Sequence, residues 1–131
     1  MNRGVQKILI VDDEPDIREF LSYNLMRAGY HVLTATDGWE GCKKAEESLP
    51  DLIILDVLMP VLDGHETCKR LRQDSRFDNT KIVYLSALNE STARDFGLAL
   101  EADAFIGKPI KIDLLLKRIE TWLKSPAPIT T

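Results

Sequence analysis

Five short apolar runs recur along the chain: KILIVD at 7–12, HVLTAT at 31–36, DLIILD at 51–56, KIVYLSA at 81–87 and AFIG at 104–107. A strand with one solvated face alternates polar and apolar residues. Runs without that alternation, rich in β-branched residues, predict strands of a parallel sheet buried on both faces. The segments between them carry apolar residues at helical spacing. Residues 15–29 place Ile17, Phe20, Leu21, Leu25 and Ala28 on one stripe; 38–49 do so with Trp39, Cys42, Ala45 and Leu49. The cleanest stripe is at 112–123, with Ile112, Leu115, Leu116, Ile119, Trp122 and Leu123, while helices at 64–74 and 90–101 are more weakly patterned. Strand–helix alternation of this kind predicts an α/β fold: an open, doubly wound sheet of five parallel strands with helices on both faces.

Helix starts are marked by chemistry as well as period. Pro15 suits the first turn of a helix, and Gly29 suits its C-terminal stop. Asp37 with Glu40, and Asp63 with Glu66, have capping-box spacing, and Asn89 is a cap for the helix at 90–101. The last seven residues, SPAPITT, hold two prolines and no apolar pattern. They read as a frayed terminus or the start of a linker, so one domain is expected over 6–124 with a tail at 125–131.

Composition narrows the function classes. The chain has 131 residues, 44% apolar and 29% charged, with a net charge of −4 and scattered basic residues, so direct nucleic-acid binding by this domain is not expected. Two cysteines of unrelated context, Cys42 and Cys68, form neither a zinc motif nor a disulfide framework and suit a reducing compartment. MNRGVQ is too short and polar for a signal peptide, and no apolar run approaches the roughly 18 residues of a membrane span. A soluble, cytoplasmic protein is the expectation.

Ligands of open α/β sheets bind beyond the carboxyl ends of the strands. The first strand ends in Asp12 and Asp13, followed by Glu14; the third ends in Asp56, the fourth in Ser86, and the fifth at Lys108. If the first and third strands are neighbours, three aspartates converge. Two unit charges about 4 Å apart repel by roughly 4 kcal/mol at an effective dielectric near 20, so such a cluster calls for a cation, a raised pKa, or both. Oxygen ligands without nearby His or Cys favour a hard ion, with Mg²⁺ the natural candidate. Carboxylates, a divalent ion, a lysine and a hydroxyl around one point suit phosphoryl transfer to an aspartate nucleophile. Asp12 and Asp13 suit metal holding. Asp56, ending the most buried run and followed by a loop able to offer a backbone carbonyl, suits the nucleophile.

IVDDEP, LDVLMPVLDG, LSA and GKP, in this order and spacing, resemble the receiver domain of two-component response regulators over about residues 6–124. The resemblance implies a flavodoxin-like fold with strand order 2-1-3-4-5. It implies that Asp56 accepts a phosphoryl group from a sensor histidine kinase or a phosphotransfer protein. Asp13, Asp56 and the Leu58 carbonyl are then the implied Mg²⁺ ligands, with Asp12 acting mostly through a bound water. Lys108, the Ser86 hydroxyl and the Ala87 amide are implied to hold phosphoryl oxygens. Ser86 and Phe105 take the family's switch positions, and the face of the fourth helix, fifth strand and fifth helix is implied to change for a partner or a homodimer.

Phe105 lacks the hydroxyl that an aromatic can carry at this position, and Gly107 loosens the approach to Lys108. Leu58 and Leu88 flank the site with groups unable to hold an attacking water, which predicts a long-lived phosphoaspartate. Leu58 also argues against a phosphatase with an aspartyl-phosphate intermediate, which needs a second acid two residues after the nucleophile. No G-x-G-x-x-G follows the first strand, against a dinucleotide site. The alternatives kept are a pseudo-receiver acting by protein contact alone and the receiver of a DNA-binding transcription regulator. Glu14 reads as a rim residue, Asp63–Gly64 as a turn and cap, and His31 and His65 as surface residues. Cys42, Cys68, Trp39 and Trp122 read as packing. Leu98 and Ala99 are candidates for an exposed partner surface.

Overall fold

The computed structural model describes residues 4–57, 62–86 and 102–124. Within them run β1 (Lys7–Val11), α1 (Pro15–Arg27), β2 (His31–Ala35), α2 (Gly38–Ser48), β3 (Leu52–Asp56), α3 (Gly64–Arg72), a 3₁₀ turn (Ser75–Phe77), β4 (Lys81–Ser86), β5 (Ala104–Gly107) and a C-terminal helix (Ile112–Lys124). The expected helix at 90–101 and its cap Asn89 lie outside the described residues, as do Leu98 and Ala99.

All pairings are parallel, and the strand order is β2-β1-β3-β4-β5, as expected. Successive strand residues face opposite sides, which is why continuous apolarity works here. Ile8, Ile10, Leu52, Ile54, Val83 and Leu85 pack on one side beneath α1 and the C-terminal helix. Leu9, Val11, Ile53, Leu55, Ile82 and Tyr84 pack on the other side beneath α2 and α3. β3 is central and buried throughout.

The caps form largely as their spacing predicts. Asp37 accepts from the Glu40 amide at 2.9 Å and Asp63 from the Glu66 amide at 2.8 Å. Glu40 reaches back one residue further than a capping box requires, to the Thr36 amide at 2.6 Å. Gly29, at φ +100°, follows the end of α1 in a conformation that favours glycine.

Two helical stripes differ from expectation. In α1, Leu21 and Leu25 are buried, but Phe20 is 42% exposed and Ala28 is exposed. Phe20 sits one residue, about 100° of helical rotation, from Leu21, so both cannot face the sheet. In α2 the buried face is Gly38, Gly41 and Ala45, while Trp39 and Leu49 are half exposed. A Cβ on Gly41 would stand 2.9 Å from Val11 Cγ2, and one on Gly38 2.7 Å from the Leu62 carbonyl. α2 therefore packs through its smallest residues, and Trp39 turns outward with the Arg70 guanidinium 4.4 Å from its ring centroid. Trp122 and Cys68 are buried as expected, Cys42 is half-buried, and no disulfide joins the two cysteines. No helix among the described residues is long and apolar enough to cross a membrane.

Candidate functional site: an acidic pocket at the carboxyl ends of the strands

Placing β1 beside β3 brings Asp12 next to Asp56 at one end of the sheet. Asp12 is fully buried and fixed from three directions. Its amide donates to the Ala35 carbonyl at 3.1 Å, its Oδ1 accepts from the Glu14 amide at 2.8 Å, and its carbonyl accepts from Arg18 Nη1 at 2.7 Å. Its second oxygen, Oδ2, is buried without a hydrogen bond among the described residues. Asp56 ends β3 at 3% exposure, opposite Leu85 of β4.

Lys108, just beyond β5, reaches across both. Its Nζ lies 3.5 Å from Asp12 Oδ2, 3.5 Å from Asp56 Oδ2 and 2.6 Å from Glu14 Oε1. Asp12, Asp13, Glu14 and Asp56 can each present an oxygen within 4.8 Å of the others, with Asp13 and Glu14 on the exposed side. Burial pushes the Asp12 carboxyl up from the ordinary aspartate range, more than the Glu14 amide and the Lys108 charge pull it down. Burial acts to lower the Lys108 ammonium, but the Glu14 hydrogen bond and the charges of Asp12 and Asp56 outweigh it and hold the group above its usual value. Among the described residues, one ammonium is thus shared by three carboxylates, and Asp12 Oδ2 is buried without a hydrogen bond. All the offered ligand atoms are oxygens, so the residues present fit a hard divalent ion such as Mg²⁺.

The backbone of Ser86 pairs with Gly107 at the end of β4, on the same edge as the acids. Leu58, Ala87 and Leu88 lie outside the described residues, and so does the Ser86 side chain. Phe105 is half-buried on β5 and packs against the α2–α3 side of the core. It also borders a groove of about 320 Å³ with Pro109, Leu114 and Arg118. Among the described residues, a Cβ on Gly107 would meet nothing within 4 Å.

Three contributors escaped the sequence reading. Arg18 holds the Asp12 carbonyl, and Glu14 does more than line the rim, since it makes the shortest contact to Lys108. Gly64 stands directly behind the third strand: its amide donates to the Val57 carbonyl at 3.0 Å, and a Cβ would fall 2.2 Å from the Asp56 carbonyl oxygen. Its φ is not positive, so no turn requires glycine there. A glycine that no turn explains is the available signal for such a close approach.

The family model for the response regulator receiver domain matches residues 8–120. The chain belongs to the response regulator receiver family. It is 46% identical over 119 residues to the alkaline phosphatase synthesis transcriptional regulatory protein PhoP of Bacillus subtilis (strain 168), covering 91% of this chain and 49% of that protein. This receiver therefore spans about half the length of that curated relative. Among solved structures it matches the chemotaxis response regulator CheY4 of Vibrio cholerae at 37% identity and a TM-score of 0.84, covering 90% of this chain and 98% of the other. The response regulator TrrA of Thermotoga maritima, solved in complex with Mg²⁺–BeF, matches at 36% identity and a TM-score of 0.81, covering 90% and 99%.

Proposed function

We propose that this receiver is a phosphorylation-driven signalling switch whose acceptor is Asp56. The carrying observation is the buried Asp12–Asp56 pair with Lys108 Nζ 3.5 Å from each. A fold gains no stability from two adjacent buried carboxylates, so their presence needs a functional reason.

Asp56 attacks the phosphorus of a phosphohistidine on a sensor histidine kinase or a phosphotransfer protein. The O–P bond forms as the N–P bond breaks, and the imidazole leaves. Asp12, Asp13, Asp56 and the Leu58 carbonyl would hold Mg²⁺, Asp12 largely through a water. The ion, when bound, supplies positive charge at the phosphoryl oxygens. Lys108 neutralises a second phosphoryl oxygen, and the Ser86 hydroxyl and Ala87 amide donate to a third. Arg18 and Gly64 keep the two acids in place from behind. Drawing Ser86 toward the phosphoryl group frees space into which Phe105 turns, altering the face formed by the helix expected at 90–101, β5 and the C-terminal helix. That surface then binds a partner, an output domain or a second copy. Its own chemistry is limited to gaining and losing the phosphoryl group, slowly lost because Leu58 and Leu88 hold no water.

The domain is taken as 6–124, with 125–131 as tail or linker. The output belongs to what the chain joins or meets. The matched PhoP is a transcriptional regulator twice as long, which supports a DNA-binding output outside this domain. A cytoplasmic location follows from a kinase-fed acceptor.

Intact mass after incubation with acetyl phosphate and Mg²⁺, beside Asp56→Asn, tests the reading. Gain of one phosphoryl group by the native chain alone supports it. No gain with acetyl phosphate, and no binding of beryllofluoride, would leave a pseudo-receiver acting by contact.

A further inference from the structure

Glu14 is the N-cap of α1, yet its side chain makes no capping bond. It turns instead into the pocket and accepts from Lys108 Nζ at 2.6 Å, nearly an ångström closer than either buried aspartate. The Glu14 side chain is 56% exposed, whereas those of Asp12 and Asp56 are 0% and 4% exposed. The ammonium is therefore drawn toward the mouth of the pocket by a carboxylate that is itself in water.

We propose that Glu14 is a positioning residue that parks Lys108 at the pocket mouth in the resting domain and competes with an incoming phosphoryl group for it. This rests on the reading above, in which Lys108 meets a phosphoryl oxygen. The ammonium has three donors on a flexible stem, so it can exchange one partner without leaving the others. Of its three carboxylates, Glu14 is the one in water, where separating the pair is least costly. The phosphoryl group thus displaces Glu14 and leaves Lys108 between the two aspartates. An exposed pair of this kind is expected to be worth about a 1.5- to 5-fold change in binding.

The test is beryllofluoride affinity in Mg²⁺, by calorimetry, for the native domain, Glu14→Gln, Glu14→Asp and Glu19→Gln. Glu14→Asp keeps the charge and shortens the reach by one methylene. Both Glu14 variants are expected to bind about 1.5- to 5-fold tighter, and Glu19→Gln, elsewhere on α1, to match the native domain. A gain with Gln but not with Asp would show that charge, not the contact, is responsible and would overturn the proposal. So would unchanged or weaker binding in both. A second readout needs no ligand: metal-free thermal unfolding of Glu14→Gln, Lys108→Met and the double variant should be non-additive, and additivity would mean that no resting contact exists. Failure of the native domain to bind beryllofluoride would overturn the receiver reading and this inference with it. Native binding with unchanged Glu14 variants overturns this inference alone.

Discussion

Asp103 and Asp12 lie at opposite ends of the same sheet and are treated in opposite ways. Asp103, ahead of β5, has an oxygen that accepts from Arg72 Nη2 at 2.7 Å and from the Ile82 amide at 2.8 Å. The same guanidinium donates from Nη1 to the Phe77 and Thr80 carbonyls at 2.8 and 3.0 Å. Nearby, Asp51 accepts from the Lys7 amide at 2.7 Å and Lys7 Nζ donates to the Ser48 carbonyl. At the other end, Asp12 keeps a buried oxygen without a hydrogen bond among the described residues, beside a second buried carboxylate. Charge at the amino ends is matched donor to acceptor and ties α3, the 3₁₀ turn, β4 and β5 together. At the carboxyl ends, among the described residues, Lys108 is shared among Asp12, Glu14 and Asp56, and Asp12 Oδ2 has no hydrogen bond. One end stabilises the fold, and the other buries two adjacent carboxylates, a cost that the metal ion and phosphoryl group of the proposed function would offset.

That contrast should break most visibly at its stabilising end. Asp103→Ala strips Arg72 Nη2 and the Ile82 amide of their shared acceptor, and is expected to cost about 2–4 kcal/mol, read from urea denaturation. Phosphorylation per folded molecule should be unchanged, because this network sits at the amino ends of the strands and the acids at the carboxyl ends. A cost below half a kilocalorie, or a slowed phosphorylation, would dissolve the division between the ends. Gly64→Ala comes next. Its Cβ would overlap the Asp56 carbonyl oxygen, a backbone atom that cannot swing aside as a side-chain tip can. The expected loss is about 1–3 kcal/mol, and here phosphorylation should slow as well, since the displaced backbone carries Asp56, the proposed acceptor.

Gly64 also marks where sequence reading stopped. The strands were legible because an apolar run without alternation has one stable place, the middle of a covered parallel sheet. Strand order followed from the receiver resemblance, and Asp12, Asp56 and Lys108 from standing at strand ends. Trp39 was misplaced for a physical reason. Weighting large apolar residues puts it on the buried stripe, but a helix pressed close to its neighbours buries glycine and alanine, and α2 buries Gly38, Gly41 and Ala45. Phe20 failed similarly, since Ile17, Leu21 and Leu25 already define a stripe that excludes it. Contacts such as Glu14–Lys108, 94 positions apart, depend on side-chain reach that no local pattern encodes.

The functional end can be sharpened by removing its conflict. Asp12→Asn deletes one of two adjacent buried charges while retaining an acceptor for the Glu14 amide. The metal-free domain is expected to gain about 1 kcal/mol, the repulsion being partly offset already by Lys108. Mg²⁺ should bind at least about tenfold more weakly, as expected for loss of a ligand-supporting carboxylate. Destabilisation instead would mean that the pair is worth more to the fold as ions than apart.

The smallest effect is the pH dependence, and its sign is distinctive. Burial raises the Asp12 carboxyl above its ordinary value of 3.8. Above the raised value both folded and unfolded chains carry the carboxylate, and the fold bears the burden of burying it. As pH falls through the raised value, the native state takes up a proton that the unfolded state does not yet hold, so this group adds stability. The gain is complete below 3.8, where the unfolded chain is protonated too. A carboxylate held by donors behaves the other way and loses stability as acid is added. The difference in unfolding free energy between the native domain and Asp12→Asn, without metal, isolates this one group. The variant's advantage should shrink steadily as pH drops from 7 toward about 4. Proton uptake at Asp12 should also weaken Mg²⁺ binding, beginning at a higher pH than an ordinary aspartate would allow. An advantage that grows in acid would mean that Lys108 dominates Asp12 and that the pocket is already balanced before any ligand arrives.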